Sequence, residues 1–170
     1  MNKPIRAMFA AAALALLFGC GTPKRPNAEI NRLRAAAPPD MMSLPNPVRG
    51  QSFQDTWQAA RSGGRRHEGV DIFAKKGTAV RSTTDGIVTK IGRNRLGGKI
   101  IGIQGAGAWH YYAHLNSRSV DLYDRVKAGQ KIGTVGNSGN AKTTAPHLHY
   151  GIYPTHGGAV NPYPLIDQSR

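Results

Sequence analysis

Hydrophobic positions fall into three regimes along the chain. Ala7 to Phe18 is an unbroken apolar run of 12 residues. From Gly21 to about Pro45 the apolar positions thin out among Pro23, Pro26, Pro38, Pro39, Pro45 and basic side chains. Ala28 to Ala37 suits a short helix there, but its apolar face is too thin for a core. From Pro47 to Arg170, short β-branched runs alternate with glycine: Gly69 to Phe73, Ala79-Val80, Gly86 to Ile91, Lys99 to Ile103, Trp109 to Leu115, Lys131 to Val135 and His147 to Tyr153. Lys76-Gly77, Asp85-Gly86, Gly97-Gly98, Ala128-Gly129 and Asn137-Ser138-Gly139 supply turns at strand-length intervals. The pattern predicts a mainly β domain, an antiparallel strand-rich sheet or sandwich built from hairpins. Gln54 to Ala60 is the candidate for a short helix, and the globular part shows neither sustained 3.6-residue periodicity nor an internal repeat.

The apolar run is shorter than the roughly 20 residues a membrane span requires. With Lys3 and Arg6 before it, it has the proportions of a secretory signal. Leu17-Phe18-Gly19-Cys20 resembles the lipobox of bacterial lipoproteins, in which the cysteine becomes the acylated N-terminus. Phe18 departs from the small or aliphatic residue usual at that site. Gly21, in place of Asp, resembles the pattern directed to the outer membrane. The expected organisation is a signal peptide over 1–19, a lipidated Cys20 with a Pro/Ala-rich tether over 20–46, and a globular domain over 47–170. A flexible tether of that length spans roughly 25–30 Å. The expected location is the cell envelope, lipid-anchored to the outer membrane and facing the periplasm.

Charge and cysteine usage narrow the function. Lys and Arg number 23 against 9 Asp and Glu, a net charge of +14. A single cysteine excludes an intramolecular disulfide and a cysteine-based metal cluster. The basic excess is not read as nucleic-acid binding, because the chain is exported and its few aromatics form no base-stacking platform. Attraction to anionic envelope material fits better. Between Arg61 and Lys99, ten basic residues face three acids, Glu68, Asp71 and Asp85.

All six histidines, 67, 110, 114, 147, 149 and 156, lie in the globular part. His67-Glu-Gly-Val-Asp71 reads as a loop running into a strand. His147-Leu-His149 reads as a strand whose two imidazoles share a face about 6.5–7 Å apart. By alternation His110, Tyr112 and His114 share one face of Trp109 to Leu115, with Trp109, Tyr111, Ala113 and Leu115 on the other. Two His and one Asp suit a zinc ion with an open coordination position, the arrangement of a catalytic rather than a closed structural site. A water activated there is a usable nucleophile near neutral pH.

In order and spacing, His67-Glu-Gly-Val-Asp71, Tyr112-Ala-His114-Leu and Pro146-His-Leu-His149-Tyr-Gly resemble the lysostaphin/LytM-type zinc metallopeptidases of bacterial cell walls. The resemblance runs from about Trp57 to Ile166. It takes in Gly77-Thr-Ala-Val80, Asp85-Gly-Ile-Val88, Val126-Lys-Ala-Gly129 and Gly133-Thr-Val-Gly-Asn-Ser-Gly139. It implies one Zn²⁺ held by His67, Asp71 and His149, with His114 and His147 as the catalytic histidines. It further implies hydrolysis of peptide bonds in peptidoglycan stem peptides or crosslinks. Tyr112, Asn137 and Asn140 are the candidate substrate contacts. Gln58 stands where many such relatives have glycine after an aromatic.

Two rival readings remain. A LytM-like regulator would bind peptidoglycan and activate another cell-wall hydrolase, a partner also open to an enzyme. Such regulators have degraded ligand sets, whereas all five polar residues are present here. Asp85-Gly-Ile-Val and Val126-Lys-Ala-Gly also resemble biotinyl/lipoyl carrier domains, but no hairpin tip presents the modified-lysine motif.

Overall fold

The computed structural model describes residues 25–169. The signal segment over 1–19, Cys20 and the first residues of the expected tether lie outside them. In chain order the elements are α1 (Asn27–Ala35), β1 (Leu44–Pro45), β2 (Val70–Phe73), β3 (Ala79–Arg81), β4 (Gly86–Asn94), β5 (Gly98–Gln104) and β6 (Ala108–Leu115). There follow β7 (Ser117–Arg118), β8 (Arg125–Val126), β9 (Lys131–Thr134), β10 (His147–Pro154) and β11 (Ile166–Asp167). No helix among the described residues is long and apolar enough to cross a membrane.

Six strands form one antiparallel sheet in the order β2-β10-β6-β5-β4-β8. A second antiparallel sheet, β3-β9-β7, packs its Val80 and Ile132 into the same core. Strand alternation explains the large sheet's two faces. Val70 and Ile72 of β2, Tyr112 of β6, and Leu148, Tyr150 and Ile152 of β10 point into the core. Asp71, Trp109, Tyr111, His147 and His149 point the other way and line a groove. One face of the sheet builds the fold, and the other carries the candidate chemistry.

Of the stretch expected as a tether over 20–46, residues 25–46 are described. From Asn27 the chain is folded onto the domain. Ile30 of α1 is 1% exposed, and Glu29 pairs with Arg125. The amide of Gly107, in the β5–β6 turn, donates to Leu33 O at 2.7 Å. Gly107 has φ +62°, and a side chain there would overlap the backbone of Ala36 to Pro38. β1 then pairs in parallel with β11, Leu44 opposite Ile166. A helix with one well-placed apolar residue is thus held by backbone hydrogen bonds and sheet pairing, and the folded unit begins before residue 47.

The helix expected over Gln54 to Ala60 is absent. Asp55 Oδ1 accepts from the Trp57 amide at 3.0 Å, the Asx turn that competes with helix. Gln58 then turns left-handed at φ +59°. Glycine, which the resemblance implies for this place, would adopt that conformation without steric cost. Beyond the turn, Gln58 N donates to His67 O and His67 N to Ala59 O, and Ala60 bridges Arg66. The segment 58–67 is a small hairpin that delivers His67 to the start of β2.

Candidate metal centre and groove

Sheet register assembles the candidate centre. His149 of β10 lies directly opposite Asp71 of β2 and, on its other side, opposite Ala113 of β6. Gly69 passes so close to the His149 ring that a side chain there would collide with it. His67 Nε2 lies 2.9 Å from His149 Nδ1. Asp71 Oδ1 is 3.2 Å from each of these nitrogens. His67 Nδ1 donates to the Thr56 carbonyl at 2.8 Å, so its Nε2 offers a lone pair to the triangle.

Burial pushes the Asp71 carboxyl up, but the facing His149 and His67 rings outweigh it and hold it far below the usual carboxylate range. Burial likewise lowers His149, against the opposing pull of Asp71. Three donor atoms therefore converge, and either a proton on His149 Nδ1 or a cation must lie among them. Zinc bonded at about 2.0–2.2 Å to such atoms places them roughly 3.3–3.5 Å apart in a tetrahedron, close to the spacing found. The donor set fits a metal ion.

Two more imidazoles flank the triangle. His147 Nδ1 donates to Ala145 O at 2.9 Å. His114 Nδ1 donates to Ser138 O at 2.9 Å. Both bonds select the tautomer with a free Nε2, and the ring centroids are 4.8 Å apart, edge to face. His147 Nε2 is 4.0 Å from Asp71 Oδ1. Burial, helped by the charges His147 and His149 can carry, lowers His114 to about 4 despite the opposing bond to Ser138. It is a neutral acceptor at pH 7.

His114 reaches this face only because β6 breaks alternation. Tyr112 pairs with Ile101 and Leu115 with Lys99, so β6 holds one extra residue there. His114 takes up the bulge at φ +61°, its amide donating to Gly97 O at 2.7 Å. The loop around Leu96 to Gly98 and the loop around Ser138 to Asn140 cross without room for a side chain at Gly98 or Gly139. Ser138 Oγ ties them together, accepting from Lys99 N and donating to Leu115 O, each at 2.9 Å.

The bulge corrects the expected faces of β6. Tyr112 is in the core, not in the groove, with its hydroxyl taking the Thr83 amide at 2.9 Å. Tyr111 faces the groove instead, stacked on Trp109 with centroids 5.6 Å apart. His110, expected on the same face as His114, is instead fully buried beside Thr83 and Tyr150. Of the two asparagines, Asn140 lines the groove. Asn137 does not: its side-chain amide turns toward Lys142 O at 3.5 Å. His156 lies in an exposed loop. The groove encloses about 1090 Å³, from His147 and Phe73 to Trp109 and Tyr153.

Sequence reading missed Arg61, whose Nη2 lies 2.6 Å from Asp71 Oδ2. It also missed Ser138, which holds His114. No periodicity marks either. Arg61 meets Asp71 only because the 58–67 hairpin folds back beside β2.

Comparison with known proteins agrees with this geometry. Residues 65–162 match the model of peptidase family M23. The L-Ala--D-Glu endopeptidase of Bacillus subtilis is 44% identical over 138 residues, 73% of this chain and 42% of that protein. The peptidoglycan DD-endopeptidase ShyC of Vibrio cholerae is 39% identical over 87 residues, 51% of this chain and 20% of that protein. The chain thus spans less than half the length of either. Among solved structures, the catalytic domain of lysostaphin from Staphylococcus simulans superposes with a TM-score of 0.61 at 32% identity, over 67% of this chain and 90% of that one. With over half of its residues inside the family match, the chain belongs to peptidase family M23.

Proposed function

We propose that the protein is a zinc-dependent endopeptidase that hydrolyses peptide bonds in peptidoglycan crosslinks or stem peptides during cell-wall remodelling. The observation that carries this is the convergence of His67, Asp71 and His149 on one point, with the free Nε2 atoms of His114 and His147 beside it in an open groove. The endopeptidase names of its relatives support the substrate class. The lipobox-like Leu17-Phe18-Gly19-Cys20 supports anchoring by lipid at Cys20, in the outer membrane facing the periplasm.

A zinc ion bound by His67, Asp71 and His149 would supply Lewis acidity, polarising a carbonyl and bringing a water into its nucleophilic range near pH 7. The remaining steps belong to the protein. The carbonyls of Thr56, Ala145 and Ser138 fix three imidazole tautomers in advance, so no proton moves before substrate arrives. One of His114 and His147 accepts the proton of the attacking water and returns it to the leaving amine. The other donates to the developing oxyanion through Nε2 after taking a proton from solvent, and returns that proton to solvent when the carbonyl reforms. The peptide lies along the groove over Tyr111 and Ala113.

The test is digestion of purified sacculi by the lipid-free protein, with and without chelator, read by mass spectrometry. Chelator-sensitive loss of crosslinked dimers supports the proposal. No cleavage by a folded, metal-loaded sample overturns it in favour of a regulator of another hydrolase.

A further inference from the structure

The groove's charge is lopsided. Its lining includes two acids, Glu68 and Asp71, against Arg61, Arg65, Arg66 and Arg95. Asp71 is engaged by Arg61 and the two histidines. Glu68 is hydrogen-bonded to the Tyr153 hydroxyl, which burial and this carboxylate push up to about 12. The other three arginines form no ion pair among the described residues. Arg65 reaches only Ser62, and Arg66 reaches the Gln58 carbonyl at 3.3 Å. Arg95 sits exposed at the β4–β5 turn, next to Leu96, whose carbonyl takes the Asn140 amide at 2.9 Å.

Three guanidinium groups from two separate loops thus stand at one groove without a fixed counter-charge. Like charges so gathered repel one another unless something anionic enters. A guanidinium also presents a planar pair of N–H donors that matches a carboxylate. A neutral peptide would leave all three unused.

We propose that Arg65, Arg66 and Arg95 are specificity-determining residues that read free carboxylates on the substrate. The groove then takes an acidic peptide, with carboxylates flanking the scissile amide, in preference to a neutral oligoglycine bridge. The inference rests on the endopeptidase reading of the same groove. Binding of the carboxylates brings the amide to the histidines, so its loss appears mainly in KM.

The test uses the zinc-loaded full chain and three probes: crosslinked muropeptide dimers with free carboxylates, the same dimers with those carboxylates converted to amides, and pentaglycine. Amidation is expected to raise KM at least tenfold with kcat within about threefold, and pentaglycine is expected to be cut least. The Arg65→Gln/Arg66→Gln and Arg95→Gln variants, at exposed positions, should fold normally, retain zinc and lose the preference for the acid form. Equal rates on acid and amide dimers, or a preference unchanged in the variants, would overturn the proposal. If no probe and no sacculus is cut, the endopeptidase reading fails, and binding of the same dimers by calorimetry decides the inference. Tighter binding of the acid form, lost in the variants, then sustains it, and equal binding ends it.

Discussion

The Arg61 guanidinium grips one oxygen of Asp71 at 2.6 Å while the other oxygen lies 3.2 Å from both His67 Nε2 and His149 Nδ1. A carboxylate on a short strand has two free torsions, and this contact fixes the outer oxygen so that the inner one faces the histidines. Such outer partners of metal ligands typically contribute 10–100-fold in affinity. Arg61→Ala is therefore expected to weaken zinc binding by about that factor, with Arg61→Lys in between because it keeps the charge but loses the fork. Competition against a chromophoric chelator measures it, and wild-type affinity in Arg61→Ala would refute the role.

His114 and His147 stand beside the triangle rather than in it, which separates proton handling from metal binding. His114→Ala and His147→Ala should each retain about one zinc per chain yet lose about 10²–10⁴ in cleavage rate. His67→Ala should lose both together. Metal content after dialysis, set beside fragment release from sacculi, distinguishes the two outcomes. Zinc lost from the His114 variant would place that residue among the ligands instead.

How far the site was legible in the sequence follows from which strands are regular. β2 and β10 alternate without interruption, so His147 and His149 could be placed on one face from spacing alone, whereas Asp71 joined them only through the family resemblance. β6 could not be read that way. Its bulge falls at His114, whose φ of +61° is held by Gly97 O and the crossing of two distant loops rather than signalled by the strand pattern. A simple period of two therefore sent Tyr112 to the groove and Tyr111 to the wrong side. The strand-rich class came from composition and turn spacing. The docked α1 did not, because only Ile30 buries there and the helix's partners, Gly107 and Arg125, lie far along the chain.

Ile30 offers a direct measure of that docking. It is 1% exposed against the domain, and truncating a buried isoleucine removes transfer energy and leaves a cavity. Ile30→Ala should cost about 2–4 kcal/mol if α1 folds as part of the domain. Urea unfolding reports it. A change below about 0.5 kcal/mol would mean that the helix is attached but not integral, as a free tether would be.

The core side of β6 carries a pH dependence that can be worked out in full. His110 is completely buried, its Nδ1 2.7 Å from the Tyr150 hydroxyl and 3.1 Å from Thr83 Oγ1. Burial lowers its pKa from the ordinary 6.5 to about 3. The folded state thus keeps His110 neutral where the unfolded chain would charge it. Its contribution is complete above pH 6.5 and is lost as pH falls from there toward 3. At pH 5 the unfolded state has gained about 1.5 pH units of proton binding, worth roughly 2 kcal/mol. The lowered His114 acts in the same direction, whereas Asp71, whose pKa is also lowered, matters only below about pH 4. His110→Gln, which keeps a polar partner for Tyr150 without a titrating ring, should flatten the stability profile between pH 6.5 and 5 by about that amount, although it is less stable at pH 7. Chelator-treated protein unfolded in urea at several pH values isolates this slope from metal release. An unchanged slope in the variant would mean that the buried ring does not govern acid stability.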